Sequence, residues 1–401
     1  MKILQLCNKV PFPPKDGGAL AIWNLSKGIV QQGVELYLLA LNTSKHPITD
    51  FQVPEEYREK IQIESVDIDT KIKYTELFAN FLFGTEPYNL IRFKSENFSA
   101  GLIRVLETFK PDIVLLEGLP MAWYIPAIRE YSQAKVVMRA HNVEHIIWNG
   151  LAEEEKSPIT KLYFKNLTKR IRKFEIDQLK NYDALLPISF IDEKWYRFAG
   201  FEKPSETIPF GVESVDYTEI RNADIPNDLI YIGALDWAPN LDGLKWFVKE
   251  VWPTIQAEFP DLKLHVAGRN PSDEIREIVQ TDGIIFYGEI DNVSDLMNKG
   301  MIMIVPLFSG SGMRVKIIEG LQAGKLVITT HQGLEGIPAY PGEQLLEANS
   351  VHEFTSHIKT SLSKPEIIRN IGLKGQEFVE QNFNNFALSK KLVNFFNSLV
   401  E

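Results

Sequence analysis

A short run late in the chain, Ser309-Gly310-Ser311-Gly312-Met313-Arg314-Val315-Lys316-Ile317-Ile318-Glu319-Gly320, puts backbone freedom, two cations and a carboxylate in one stretch. The apolar, β-branched residues from Ile302 to Leu307 before it predict a buried parallel strand. Val315, Ile318 and Leu321 then share one face of a helix that stops at Ala323-Gly324, and Lys325-Leu326-Val327-Ile328-Thr329-Thr330 reads as a second buried strand. A strand, glycine turn, helix and strand in that order leave free backbone N–H groups and a helix dipole at the first strand's C-terminal edge, where an anion binds. Arg314 and Lys316 add charge in the expected first turn, and Glu319 follows on the same helix. Together these groups suit a phosphorylated sugar or a nucleotide. The run is not a Walker loop, because it lacks the Gly-Lys-Ser/Thr ending, nor a dinucleotide fingerprint, because the third glycine is absent. Taken alone it also fits an ordinary glycine turn with solvated cations.

Two earlier segments carry similar signals. Pro11-Phe12-Pro13-Pro14-Lys15-Asp16-Gly17-Gly18-Ala19 follows an apolar start. Its prolines stiffen a loop, and Gly17 and Gly18 let backbone approach a ligand just before a helix expected near Leu20. A plain proline-rich turn is the other reading. Ala140-His141-Asn142-Val143-Glu144-His145 follows the apolar Val136–Arg139, so His141 stands at a strand's C-terminal end, a good position for a site residue. His141 and His145 are four apart but lack the third ligand that zinc needs. Asp67 and Asp69 alternate on a predicted strand and share a face, a pattern that can hold Mg²⁺ or Mn²⁺. They lie far from the glycine-rich run, and no metal role is expected of them.

The elements that must position these residues repeat along the chain. Ile3–Cys7, Val34–Ala40, Ile61–Val66, Ile113–Leu116, Val136–Arg139 and Ala184–Ile188 read as strands, with helical stretches between several of them. After Pro209-Phe210-Gly211 the pattern restarts with Leu229–Gly233, Lys263–Ala267, Ile284–Tyr287, Ile302–Pro306 and Leu326–Thr330. Such alternation predicts an α/β protein with two Rossmann-like parallel-sheet domains facing across a cleft, the default active site. A length of 401 residues agrees with two domains. The expected boundaries are 1–207 and 208–382, with Ser205 to Asp224 as the joint.

Composition narrows the class further. The single cysteine, Cys7, excludes a disulfide framework and a cysteine metal site, and suits a reducing compartment. A net charge of −10 argues against nucleic-acid binding. No apolar run approaches the roughly 20 residues needed to span a bilayer, and Met1 to Leu6 reads as a strand, not a signal peptide. A cytoplasmic protein is expected, with peripheral contact at the inner membrane face left open. Lys156 to Lys173 carries Lys161, Lys165, Lys169, Arg170 and Arg172 beside an apolar stripe of Phe164, Leu167, Ile171 and Phe174. That helix either rests on an anionic membrane or packs by its stripe as an ordinary surface helix. The aromatic-rich Tyr74 to Phe93 is equally ambiguous.

The ordered set of motifs resembles the retaining glycosyltransferases of family four, which have the GT-B fold. The match runs through Gly17-Gly18, His141, Tyr182-Asp183-Ala184-Leu185-Leu186-Pro187-Ile188-Ser189 and Ile208-Pro209-Phe210-Gly211-Val212-Glu213. It continues through Ile232-Gly233-Ala234-Leu235-Asp236-Trp237-Ala238-Pro239-Asn240, Val266-Ala267-Gly268, Tyr287-Gly288-Glu289-Ile290 and Glu319-Gly320-Leu321-Gln322-Ala323-Gly324-Lys325-Leu326-Val327. The resemblance implies a hexosyltransferase-type enzyme that moves a sugar from a nucleotide-sugar donor to a glycan or lipid-linked acceptor, in surface polysaccharide or lipopolysaccharide synthesis. It implies that Glu319 accepts hydrogen bonds from the ribose, that Ser311, Gly312 and Met313 face the donor sugar and phosphates, that Gly17 and Gly18 approach the diphosphate, and that His141 lies near the donor sugar. It further implies that 1–207 is the acceptor-side domain and 208–382 the donor-binding domain, with a last helix at 383–401 packing back on the first. No cofactor or metal is expected.

Two departures stand out. The first of the family's two glutamates falls on Ser311, so that Ser-Gly-Met-Arg-x-Lys reads as a subgroup form. The arginine expected after the second domain's first strand falls on Ala234, and the following lysine finds only Asp242 or Lys245. Arg314 and Lys316 are the nearest replacements, with Arg269 as a third. A sugar-nucleotide 2-epimerase of the same fold and a non-catalytic sugar-nucleotide sensor remain as alternatives.

Overall fold

The computed structural model describes every residue except Lys15, positions 45–46, 49–52 and 215–224, Asp291 and Ser311. The chain divides into two units, Met1–Glu213 with Asn385–Glu401, and Ser214–Asn384. In the first unit β1 (Lys2–Cys7), β2 (Glu35–Thr43), β3 (Ile61–Ile68), β4 (Ile113–Glu117), β5 (Lys135–Ala140) and β6 (Ala184–Pro187) form one parallel sheet in the order β3-β2-β1-β4-β5-β6. In the second, β7 (Leu229–Ile232), β8 (Leu264–Ala267), β9 (Ile284–Gly288), β10 (Ile302–Val305), β11 (Leu326–Thr329) and β12 (Leu346–Glu347) follow the order β12-β11-β10-β7-β8-β9.

Counted from its own first strand, each sheet has the order of a doubly wound Rossmann fold. The connections leave in opposite directions on the two sides of β1 and β4, and again of β7 and β10. Ligands of such sheets bind beyond the strands' C-terminal ends at that switch.

The strands are apolar because helices cover both faces, so strands such as β4 and β10 bury every residue. Two clusters, one with Leu4, Leu116 and Phe98 and one with Ile3, Leu115 and Phe396, fill the first unit. A cluster with Leu229, Trp252 and Ile304 fills the second. The expected strands all form, each with at least one end shifted by a residue or more. The two-residue β12 was missed, being too short to show a period.

Eight helices matter below: α1 (Gly17–Gln31), α2 (Tyr74–Phe83), α3 (Glu144–Glu154), α4 (Pro158–Gln178), α5 (Ala238–Trp246), α6 (Val315–Gln322), α7 (Pro365–Phe383) and α8 (Asn385–Val400). The first helix begins at Gly17, not near Leu20, because Asp16 caps it by accepting from the Ala19 amide at 2.8 Å. Gly17 and Gly18 are therefore the first two helical residues and contribute free N–H groups there. Arg314 likewise precedes α6 instead of sitting in its first turn. Gly324, at φ +68°, closes α6 in the left-handed region.

The closing helix α8 belongs to the first unit. Asn385 Nδ2 donates to the Asn24 carbonyl at 2.7 Å, and a Cβ on Gly28 would lie 1.8 Å from Ser389 Oγ. In α4 the apolar stripe packs inward, with Leu167 and Ile171 buried against Leu90 and Leu119.

Candidate active site

In the second unit the glycine-rich turn leaves β10 at the switch point. Gly310 (φ +88°) and Gly312 (φ +87°) adopt a conformation that other residues rarely take, and a Cβ on Gly310 would press within 3.0 Å of the Trp237 ring. Ser311 lies outside the described residues. Gly312 and Met313 are half-buried and lead into Arg314.

Arg314 is 5% exposed. Its Nη1 donates to the Gly312 carbonyl and its guanidinium stands 6.0 Å from the centre of the Trp237 ring. Among the described residues its Nε and Nη2 have no hydrogen-bond partner. Burial lowers its pKa from the ordinary arginine value, with Glu335 opposing. Unsatisfied buried N–H donors are costly, and a ligand anion would satisfy these.

Lys316, on the first turn of α6, crosses to the neighbouring loop. Its Nζ donates to Asn240 Oδ1 at 2.7 Å and to the Ile232 carbonyl at 3.3 Å, with the Tyr231 ring 5.4 Å away. Burial, with Arg314 nearby, lowers its pKa to about 7. Glu319, one turn on, is half-buried and has no partner among the described residues. Burial alone raises its carboxyl to about 7. Arg269 stands past the end of β8, its Nε 4.0 Å from Asp236 Oδ1. The structure thus gathers the glycine turn, Arg314, Lys316 and Glu319 around one switch point, and gives Arg269 a carboxylate of its own.

In the first unit His141 follows β5 and points its Nε2 at Glu117 Oε2, 2.6 Å away. Glu117 ends β4 and is fully buried. Burial pushes its carboxyl up, but Arg139 Nη1 at 3.5 Å, with hydrogen bonds from His141 and from Gln5 Nε2 at 2.5 Å, holds it below the usual range. An ionised Glu117 only accepts, so Nε2 carries the proton and Nδ1 is left for a ligand. His145 turns elsewhere: its Nδ1 bonds Glu175 Oε2 at 2.7 Å, and Glu175 also accepts from Tyr196 Oη and the Glu144 amide. The two histidines share no ligand set. At α1, Lys9 Nζ pairs with the capping Asp16 at 2.8 Å and would lie 3.0 Å from a Cβ on Gly18.

Asp67 lies on the sheet's edge strand β3 and Asp69 just past its end, away from the switch. Asp67 accepts from Asn42 Nδ2 at 2.8 Å and Asp69 from the Lys71 amide at 3.0 Å. Among the described residues no three metal-ligating side chains converge. Sequence reasoning missed Glu117, Lys9 and Asn240. The signal for Glu117 was its place directly after an apolar strand; for Asn240 it was the neighbouring glycine at the end of β7.

Two sheets of this order, with a glycine turn, cations and a lone carboxylate at one switch point, define the two-Rossmann architecture of the GT-B glycosyltransferases. Residues 226–364 match the family described as glycosyl transferases group 1. Residues 226–364 therefore form a glycosyltransferase group 1 domain, which makes the chain an enzyme of the glycosyltransferase type. It is 25% identical over 397 residues to an uncharacterized 44.6 kDa protein in the cps region of Klebsiella pneumoniae, covering 96% of this chain and 97% of that one. Among solved structures it resembles sucrose-phosphate synthase from Thermosynechococcus elongatus, with a TM-score of 0.70, 16% identity, and coverage of 100% of this chain and 99% of the other. It resembles Anabaena HepE in complex with UDP at a TM-score of 0.67 and 12% identity, covering 99% and 100% of the two chains. A glycosyltransferase from Rickettsia africae gives 0.67 and 15%, covering 100% and 98%.

Proposed function

We propose that this enzyme is a retaining glycosyltransferase that takes its sugar from a nucleotide-sugar donor held in the second unit, at the site of Arg314, Lys316 and Glu319. The observation that carries the reading is Arg314, buried beside the glycine turn with its Nε and Nη2 unmet among the described residues. Cleaving a glycosyl–diphosphate bond builds negative charge on the leaving phosphate. Arg314, Lys316 and the amides of Gly312 and Met313 stabilise that charge, usually the largest catalytic term. Glu319 accepts from the ribose hydroxyls, and His141, oriented by Glu117, serves the donor sugar from the first unit. Gly17 and Gly18 supply amides to the diphosphate. Ser311, in place of a glutamate, alters the sugar's hydroxyl contacts. With fixed cations on the phosphates, no metal is needed. Retention without a carboxylate nucleophile follows same-face attack, the leaving phosphate taking the acceptor's proton.

The acceptor is a glycan or a lipid-linked glycan, in surface polysaccharide synthesis; the cps-region relative supports that setting. Peripheral membrane contact is supported by α2, which buries none of its residues and exposes Tyr74, Phe78, Leu82 and Phe83. Arg170 of α4 holds its C-terminal carbonyls at Asn80 and Phe81. From Pro158 to Lys173, α4 has six cations and no acid. No helix among the described residues is long and apolar enough to cross a membrane.

Incubation with a panel of sugar nucleotides tests the reading. Acceptor-dependent release of free nucleoside diphosphate is the expected result. An isomerised sugar would instead show a 2-epimerase, and binding without turnover a sensor.

A further inference from the structure

We infer that Asn240 is a positioning residue that holds Lys316 Nζ at the C-terminal end of β7, so that α6, and not the β7–α5 turn, supplies the lysine for the diphosphate. The inference rests on the donor-site reading above and concerns how that site obtains one of its cations.

The turn after β7 has no suitable charge of its own. Ala234 stands where an arginine was expected, and Lys245 is committed to Glu274. Yet an ammonium does reach this turn, because Lys316 Nζ lies 3.3 Å from the carbonyl of Ile232, the last residue of β7. Asn240 fixes it there. The asparagine is 4% exposed and is locked on all sides. Its Nδ2 donates to the Ala234 carbonyl at 3.0 Å, its carbonyl accepts from Tyr231 Oη at 2.8 Å, and its amide N–H donates to the Trp237 carbonyl at 3.0 Å.

These partners also settle which way the side-chain amide faces. A carbonyl at Ala234 demands the NH₂ group, which leaves Oδ1 to the lysine. Gly233 is part of the arrangement, since a Cβ there would come within 2.9 Å of Asn240 Nδ2.

Every acceptor given to Lys316 is neutral: an amide oxygen, a backbone carbonyl and the Tyr231 ring. The site therefore orients the ammonium without cancelling its charge. Among the described residues two of its three donors are engaged, which leaves the third for an anion. Among the described residues the charged group acting on it is Arg314, a second cation at the start of α6; Tyr231 on β7 is the titratable group whose ring faces it, and α5 offers only the neutral Asn240. Glu335 acts on Arg314, but among the described residues Lys316 has neutral supports only, and an anion between the two cations would stabilise both.

The test uses the full-length protein and calorimetric binding of UDP, GDP, ADP and dTDP, the tightest serving as the probe. Lys316→Met should weaken that probe on the order of a hundredfold. Asn240→Leu should weaken it roughly tenfold, as for a lost hydrogen bond to a charged group. In the Lys316→Met background Asn240→Leu should add nothing, because its effect runs through the lysine. An undiminished loss in that background would make Asn240 merely structural and overturn the inference. If Asn240→Leu does not fold, Asn240→Asp decides. A carboxylate beside Lys316 should carry the alkaline fall in probe affinity upward by roughly 1–3 pH units, and an unmoved pH profile would overturn the inference. An inert Lys316→Met, or no binding of any probe, removes the donor-site reading as well. A normal Lys316 effect with a silent Asn240→Leu removes this inference alone.

Discussion

Glu319 is a carboxylate kept half-buried without a partner among the described residues, and that burial raises its pKa to about 7. An unfolded glutamate titrates at about 4.3. Between that pH and 7 the native state holds more protons than the unfolded one, so stability falls as pH rises through the window. Glu319→Gln should therefore raise the melting temperature at pH 8 and leave it unchanged at pH 4, while donor affinity drops. A residue that costs stability and serves binding behaves in this way. An equal shift at both pH values in thermal scans would assign Glu319 to packing. Glu117 is the opposite case, a buried anion that Arg139 needs. Glu117→Gln leaves a buried guanidinium without its counter-charge and should cost about 3–5 kcal/mol in chemical denaturation. His141→Ala, at the partly exposed end of the same chain of contacts, should lower turnover with little change in stability.

The helices place these groups through glycines at close contacts. In α5 a Cβ on Gly243 would lie 1.8 Å from the carbonyl of Pro306, just past β10. That contact sets α5, and with it Asn240, against the start of the glycine turn. Gly243→Ala should destabilise by about 1–3 kcal/mol, the range for overpacking, and should also weaken donor binding. Gly150, inside α3, has open space on the side where a Cβ would project, with no atom within 4 Å. Gly150→Ala should be neutral or stabilise by up to about 1 kcal/mol, as alanine is the better helix former. Urea titrations of the two variants give the contrast directly.

Across the whole molecule two outcomes follow from charge and exposure. The proposal places the donor's cations on α6 and its leading turn, so turnover should survive excess EDTA. Loss of activity with recovery on Mn²⁺ would contradict the proposed mechanism. A net charge of −10 repels anionic surfaces in general, yet α4 concentrates cations next to the apolar α2. Vesicles containing anionic lipid should sediment the protein, neutral vesicles much less, and Phe78→Asp should abolish the difference. A Phe78→Asp variant that sediments as the parent does, or no binding to either vesicle type, would leave α2 without a membrane role.

The alternation of apolar runs with helical stretches was legible in the chain because buried parallel strands need unbroken apolar residues, and eleven such strands were read from it. Glycines with an obligatory conformation, such as Gly310 and Gly312, were legible for the same local reason. Periodicity does not report strand order, so the switch points at β1/β4 and β7/β10 were decided by the tertiary structure. Partnerships across long separations were also decided there. Glu117 meets a histidine 24 positions on, and Asn240 meets Lys316 76 positions on. Nothing local marks either pair, since a carboxylate or an amide gains its role only when folding removes water and leaves one partner within reach. The sequence by itself determined the two sheets and the chemical types available at their ends; packing at each switch point decided which of those groups meet.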